Sequence, residues 1–177
     1  MIEIRTATTD ADFAAVRRLT YALIALLQQL YPQAYELFAQ DKQAMAAAAP
    51  AEILLVADHQ GQIVGCVALY DRGQGICEMQ QMFVDAPYRG QGIGRALATA
   101  LIDEARRAGY GQMRLSTGAK QAAAQQLYRS LGFHEIAPYH AVPESLHSKL
   151  VFMALALGYA GEGALRCGRQ QRYSGRH

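Results

Sequence analysis

Three glycines at alternate positions, Gly90, Gly92 and Gly94, lie between an apolar, strand-like segment and a segment with helical periodicity. Glycine lets the backbone approach a ligand closely, and the first N–H groups of a helix have no acceptor within the helix. Those N–H groups and the helix dipole attract anions. Arg89 and Arg95 flank the glycines and add positive charge. The segment is therefore predicted to bind a phosphate or a pyrophosphate.

Two common phosphate-binding motifs do not fit this loop. A P-loop needs Gly-Lys-Ser or Gly-Lys-Thr at the start of the helix, whereas Gly94 precedes Arg95 and Ala96. The dinucleotide pattern GxGxxG needs a glycine at its sixth position, and a start at Gly92 places Leu97 there. The pattern that remains is Arg-x-x-Gly-x-Gly.

The elements that must position the loop follow from the spacing of apolar residues. The predicted strands are Ile2–Ala7, Ile53–Asp58, Ile63–Tyr70, Ile76–Asp85, Gln112–Thr117, Phe133–Ile136 and Leu150–Leu157. The first predicted helix starts at the capping box of Thr9 and Asp12 and runs to about Gln29. The other predicted helices are Tyr35–Ala49, Gly92–Ala108 and Gln121–Leu131.

The order of these elements predicts the fold class. A strand, a helix and a second strand in succession indicate that Ile76–Asp85 and Gln112–Thr117 pair in parallel. The short connections elsewhere favour antiparallel pairing. We therefore expect an α/β domain with a single mixed, mainly antiparallel sheet, a parallel central pair and flanking helices.

Composition and charge exclude several classes of protein. Residues 1–157 carry a net charge of −1 and form the predicted domain, whereas residues 158–177 carry +3 and are expected to form a flexible tail rich in arginine and glycine. The pI of 8.5 therefore does not indicate nucleic-acid binding.

The cysteines form no CxxC pair and the histidines no HxxxH pair, so we expect neither a disulfide framework nor a metal. The chain shows no secretory leader or membrane span, which favours a cytoplasmic location.

Within this framework, the loop over 89–94 resembles the acetyl-CoA pyrophosphate motif of the GCN5-related N-acetyltransferase (GNAT) family. The segment Leu127-Tyr-Arg-Ser-Leu-Gly-Phe133 resembles the LYxxxGF signature of that family, and the predicted order of elements agrees with its fold. The resemblance covers roughly Ile2–Leu157 and is strongest over Glu78–Phe133. It implies an N-acetyltransferase that moves an acetyl group from acetyl-CoA to a primary amine of a small molecule. The implied transfer is a direct attack in a ternary complex, without a metal.

The resemblance also implies roles for individual residues. Tyr128 is expected to protonate the departing CoA thiolate, and Glu78 to take a proton from the amine, directly or through water. Strand parity predicts that Glu78, Gln80, Met82 and Val84 share one face. The expected cofactor-binding residues are Met82, Phe83, Val84, Arg89, Gly90, Gln91, Gly92, Ile93, Gly94, Arg95, Gln121 and Arg129.

The acceptor amine is expected between residues 28–36 and the loop 138–148. The candidate residues there are Tyr31, Tyr35, Glu36, Tyr139 and His140. A protein or peptide N-acetyltransferase and a non-catalytic module that senses acyl-CoA remain alternatives. We expect acetyl-CoA and a small amine as partners, no nucleic acid or membrane, and a monomer or homodimer.

Overall fold

The computed structural model describes residues 1–32 and 51–158, which form one sheet with helices on both faces. The predicted helix Tyr35–Ala49 and residues 159–177 of the predicted tail lie outside the described residues. The strands are β1 (Ile2–Thr6), β2 (Ile53–His59), β3 (Gln62–Asp71), β4 (Ile76–Val84), β5 (Gln112–Gly118), β6 (His134–Ile136) and β7 (Leu150–Ala156). The helices are α1 (Asp10–Leu30), α2 (Ile93–Arg107), α3 (Ala122–Ser130) and α4 (Glu144–His147), with a 3₁₀ turn at Ala86–Tyr88.

The sheet confirms the predicted fold class. Its seven strands have the order β1-β2-β3-β4-β5-β7-β6, in which β4 and β5 are parallel and every other neighbouring pair is antiparallel. The parallel pair requires a crossover, which α2 supplies. The short helix α4 lies in the segment 138–148, which is predicted to be a loop, because four residues are too few to show a helical period.

Helix α1 begins where the sequence predicts. Thr9 Oγ1 accepts the backbone N–H of Asp12 at 3.1 Å, and the Asp12 carboxylate accepts the N–H of Thr9 at the same distance. Arg5 also binds this carboxylate through two N–H groups at 2.8 and 2.9 Å. The Arg5 guanidinium, the largest influence, and the backbone N–H groups hold the pKa of Asp12 well below its usual range. The start of α1 is thereby tied to β1.

The two faces of the sheet bury separate apolar clusters. On one face, α2 packs its buried stripe of Leu97, Leu101 and Ala105 against strand residues and Tyr128 of α3. On the other face, α1 packs Leu19 and Leu23 against the sheet. We refer to these as the α2 face and the α1 face. Within the described ranges, no helix has the length and apolar character needed to cross a membrane.

The sheet opens at its centre. β4 and β5 pair only over three residues each, from Ile76 to Glu78 and from Gln112 to Arg114. Beyond this point β4 continues to Val84 and β5 to Gly118 without pairing with each other. The backbone groups on these facing edges therefore have no strand partner, which leaves donors and acceptors for a ligand between the two strands.

Candidate active site

A cleft of about 1060 Å³ extends from the split between β4 and β5 to the start of α2. Its lining comes from α1, from β4 between Glu78 and Val84, from the glycine loop, from the end of β5 and from α3. A volume of this size is at the upper end of the range for small-molecule sites. We call this space the cleft.

The glycine loop presents free backbone donors to the cleft. Gly92 caps α2 with φ of 79°, a left-handed conformation that favours glycine. The first bond of this helix runs from the N–H of Ala96 to the carbonyl of Gly92 at 3.0 Å. The N–H groups of Ile93, Gly94 and Arg95 therefore have no acceptor within α2 and lie at the positive end of its dipole. This arrangement fits a pyrophosphate.

Two arginines fix the loop and bring positive charge to the cleft. Arg89 donates from Nε to the carbonyl of Val84 at 2.8 Å, and its guanidinium lies 5.0 Å from the centre of the Phe83 ring. Arg95 donates from Nη2 to Ser130 Oγ at 2.7 Å, which links α2 to α3. Both arginines line the cleft.

The far end of β5 is held in place by polar groups of α3. Gln121 Oε1 accepts the N–H of Gly118 at 2.8 Å, and Gln125 Nε2 donates to the carbonyl of Gly118 at 2.9 Å. The hydroxyl of Tyr31, at the end of α1, accepts the N–H of Lys120 at 2.7 Å. A Cβ at Gly118 would lie only 2.5 Å from that hydroxyl, so glycine is required there. These contacts fix the end of β5 against Gln121, α3 and the end of α1.

A β-bulge at Gln81 changes which side chains of β4 point to the α1 face and which to the α2 face. Gln81 has φ of 53°, and the register between β3 and β4 shifts at this point. Before the bulge, Met79 packs on the α2 face; after it, Met82 and Val84 pack there. Because side chains alternate along a strand, Glu78 faces the other way, toward the α1 face. The prediction that one face carries Glu78, Gln80, Met82 and Val84 is therefore wrong beyond Gln80, since the extra residue reverses the alternation.

The Glu78 carboxylate is buried, with 4% of the residue exposed, and is held from two sides. Arg72 Nε donates to Glu78 Oε2 at 2.6 Å, and the hydroxyl of Tyr139 donates to Oε1 at 3.0 Å. Burial, the largest influence, and the charge of Glu78 raise the pKa of Tyr139 above its usual value. The Tyr139 ring also makes an edge contact with Phe152, at 5.2 Å between ring centres. Glu78 is thus a carboxylate held in a fixed orientation at the wall of the cleft.

Tyr128 lies on the opposite face, buried among the residues that pack on α2. Its ring makes an edge contact with Phe133 at 5.8 Å, and the residue lines the cleft. Burial raises the pKa of its phenol above the ordinary value, so the hydroxyl stays protonated at neutral pH. No described residue forms a hydrogen bond with this hydroxyl, which leaves its proton available to a ligand.

The structure brings most of the expected cofactor residues together. The residues of that set that line the cleft are Met82, Phe83, Val84, Arg89, Gly90, Gly92, Ile93, Gly94, Arg95 and Gln121. Gln91 and Arg129 do not line it: Gln91 donates to the carbonyl of Pro87, and Arg129 pairs with Glu135.

The expected acceptor residues are less closely grouped. Tyr139 lies beside Glu78, and the His140 ring contacts the rings of Tyr139 and Phe152. Tyr31 lies under the connection between β5 and α3 instead of lining the cleft, and Tyr35 and Glu36 lie outside the described residues.

Three polar residues outside the expected site lie on the same side of the sheet as Glu78. Arg72 pairs with it, Arg114 lies opposite it in the parallel register, and Gln80 lines the cleft two residues further along β4. Residues of these types are common in strands and turns, and no sequence pattern predicts that Arg72 and Arg114 lie near Glu78. The alternation of β4 gives only the shared face of Glu78 and Gln80.

Comparisons with known proteins agree with this geometry. The chain is 35% identical to N-acetylaspartate synthetase of Xenopus tropicalis over 62% of this chain and 42% of the relative. It is 43% identical to the IAA acetyltransferase of Azospirillum brasilense over 48% of this chain and 56% of the relative. The chain thus spans about half the length of the curated relatives it matches.

The fold has a counterpart of similar size with a bound ligand. The protein yncA of Salmonella typhimurium, solved with its cofactor acetyl-CoA, is 27% identical and superposes with a TM-score of 0.66 over 92% of this chain and 98% of that protein. The model of the Acetyltransferase (GNAT) family matches residues 20–133, which include β4, the glycine loop and α3. With the split sheet, the glycine loop and the Tyr128 segment all inside that match, the chain belongs to the Acetyltransferase (GNAT) family.

Proposed function

We propose that this protein is an N-acetyltransferase that moves the acetyl group of acetyl-CoA to the primary amine of a small molecule. The observation that carries the proposal is the pair of protonation partners on the walls of one cleft: the Glu78 carboxylate on the α1 face and the free Tyr128 hydroxyl on the α2 face. An amine that attacks an acyl group must lose a proton, and a departing thiolate must gain one.

The binding residues fit acetyl-CoA. Free N–H groups at the start of α2, together with Arg89 and Arg95, suit the pyrophosphate. The unpaired edges of β4 and β5 suit the amide groups of pantetheine, because each offers both donors and acceptors. When bound there, acetyl-CoA supplies a thioester whose carbonyl carbon accepts a nucleophile.

The reaction proceeds by direct attack. Glu78 first takes one proton from the ammonium group, directly or through water, and the neutral nitrogen then bonds to the carbonyl carbon. The carbon–sulfur bond breaks and Tyr128 gives its proton to the sulfur, so that CoA leaves as the thiol. The second proton lost by the nitrogen restores the Tyr128 hydroxyl. The amine and the thioester are held together in the cleft, which removes most of the entropic cost of their encounter.

A small acceptor is favoured by one relative that is named for a small-molecule product, N-acetylaspartate. The proposed reaction uses no metal, and we place it in the domain of residues 1–157.

The experiment is a thiol-release assay with acetyl-CoA over amino acids, polyamines, other small amines and peptides, with the products identified by mass. We expect release with at least one small amine and an acetyl group on its nitrogen. Tight binding of acetyl-CoA without release from any amine would favour the sensing module. Acetylation of peptides alone would favour a protein acetyltransferase.

A further inference from the structure

Gln80 carries a buried amide nitrogen without a partner. Its Nε2 atom is fully shielded from solvent and has no hydrogen-bond partner, the one such side-chain atom found in residues 1–32 and 51–158. Buried polar groups in folded proteins are almost always bonded, so an exception of this kind needs an explanation. Gln80 lines the cleft on the same face as Glu78. A rotation of the Gln80 side chain would bring this amide to a ligand oxygen in the cleft, because Nε2 itself is shielded in the present conformation.

Positive charge beside Glu78 exceeds negative charge. Arg114 lies directly opposite Glu78 in the parallel register of β4 and β5. Its guanidinium lies 5.5 Å from the centre of the Tyr139 ring, and its Nε donates to the amide oxygen of Gln112 at 2.7 Å. Arg114 has no carboxylate partner in the described part of the chain, because Glu78 is paired with Arg72. Arg72 thus pairs with the one carboxylate, and Arg114 adds a second positive charge over the ring of Tyr139, which bonds the same carboxylate.

The side chains that line the cleft also carry a net positive charge. Its charged lining residues within the described ranges are one acid, Glu78, and four bases, Arg17, Arg89, Arg95 and Lys120. Arg89 and Arg95 belong to the glycine loop, whereas Arg17 lies on α1 and Lys120 follows β5. Even after the pyrophosphate of acetyl-CoA neutralises Arg89 and Arg95, Arg17 and Lys120 remain against Glu78. An acceptor amine that arrives as a bare ammonium ion therefore meets repulsion from net positive charge here. An acceptor that also carries a carboxylate does not.

We infer that the acceptor amine carries a carboxylate close to its nitrogen, as an α-amino acid does, and that Gln80 and Arg114 select it. This inference rests on the proposed function and narrows its substrate class. When the acceptor binds, Gln80 turns so that Nε2 donates to one carboxylate oxygen, and Arg114, which does not itself line the cleft, supplies the compensating charge from beside Glu78. The amine nitrogen then lies within reach of Glu78, two residues away on the same face.

The test uses matched acceptors that differ only in this group. Leucine, leucinamide and isopentylamine form one set, and phenylalanine, phenylalaninamide and phenethylamine form a second. We expect kcat/KM for the free acid to exceed that for the amide and the amine by about 10-fold or more, because a hydrogen bond to a charged group is worth that much. Calorimetric titration of leucine and leucinamide in the presence of CoA should show the same order of affinity.

Two variants assign the preference to residues. Gln80→Glu places a negative charge against the carboxylate, and Arg114→Gln removes the positive one. Each should lower kcat/KM for the free acid about 10-fold or more while changing it little for the amide. Arg107→Gln, at an exposed position near the end of α2, is the matched control and should leave the preference unchanged. Unchanged calorimetric affinity for acetyl-CoA would show that each variant is folded.

The possible outcomes separate the inference from the function on which it rests. Amides or amines used as well as the acids, or variants that keep the wild-type preference, would overturn the inference and leave N-acetyl transfer intact. If no acceptor releases thiol although acetyl-CoA binds, the proposed function fails. In that case equal calorimetric affinity for leucine and leucinamide would overturn the inference as well, whereas a preference for leucine that Arg114→Gln removes would support it.

Discussion

The hydroxyl of Tyr139 donates to Glu78 Oε1 across 3.0 Å, although 61 positions separate the two residues in the sequence. Arg72 binds the other oxygen of the same carboxylate. The candidate base is therefore fixed by the loop that follows β6 as well as by its own strand. The orientation of the carboxylate therefore depends on this loop, and in the proposed reaction the loop also sets the direction from which Glu78 takes the amine proton.

Replacing Tyr139 by phenylalanine should lower kcat about 10-fold while leaving the KM for acetyl-CoA unchanged. The variant loses a hydrogen bond to a charged group, worth about 1.5 kcal/mol, but no contact with the glycine loop. Steady-state kinetics measures both kcat and the KM for acetyl-CoA. Tyr110→Phe, in the connection between α2 and β5, is the control and should leave both constants unchanged. An unaltered kcat in Tyr139→Phe would show that Tyr139 does not position Glu78.

Tyr128→Phe should lower kcat by about 100-fold or more and leave the affinity for acetyl-CoA intact, because it removes the proton donor but keeps the ring. A general acid must be protonated, so its contribution is lost as the pH rises through its pKa. Burial raises the pKa of Tyr128, so deprotonation of this residue should cause no loss of kcat up to pH ~10. A pH–rate profile and calorimetry test both points. Full activity in the variant would remove Tyr128 from the mechanism.

Replacing Cys66 or Cys77 by alanine should preserve turnover. Burial raises the pKa of each thiol to about 12, so neither forms the thiolate that a covalent mechanism needs. Neither residue lines the cleft. The measurement is kcat for each variant, with thermal unfolding to confirm the fold. Loss of activity in a stably folded Cys77→Ala protein would contradict direct attack.

Gly92→Ala should weaken the binding of acetyl-CoA and cost about 1 kcal/mol of stability. The left-handed backbone at Gly92 strains any other residue and directs the N–H groups of α2 into the cleft. Gly61→Ala is the matched control, since Gly61 has φ of 86° in the hairpin between β2 and β3 and, like Gly92, open space where a Cβ would lie. The control should lose similar stability and keep its affinity. Equal affinities in the two variants would show that the loop does not hold the pyrophosphate.

Asp12→Asn should destabilise the fold at neutral pH and have little effect in strong acid. The pKa of Asp12 is lowered in the folded state, so its contribution is present above the unfolded value of about 4 and is lost as the pH falls below that value. Urea unfolding of wild type and variant at pH 7 and in acid measures the difference. Asp10→Asn, in the same first turn of α1, is the control. A difference in stability that persists unchanged in acid would contradict this origin.

The fold and the residues that line the glycine-loop end of the cleft were predictable from the sequence because their signals are local. The apolar period of α2, the glycines before it and the capping box of α1 each lie within a few residues, and the structure confirms the strands and helices they predict. The surroundings of Glu78 were not predictable. Arg72 and Tyr139 reach it from a turn and a distant loop, and the bulge at Gln81 reverses the alternation without any glycine or proline to indicate it.

The measurement that tests the central claim most directly is the initial rate of thiol release with acetyl-CoA and the best acceptor amine varied together. Direct transfer in a ternary complex predicts intersecting double-reciprocal lines and an acetyl group on the amine nitrogen. Parallel lines, together with an acetylated protein seen by intact mass, would contradict it.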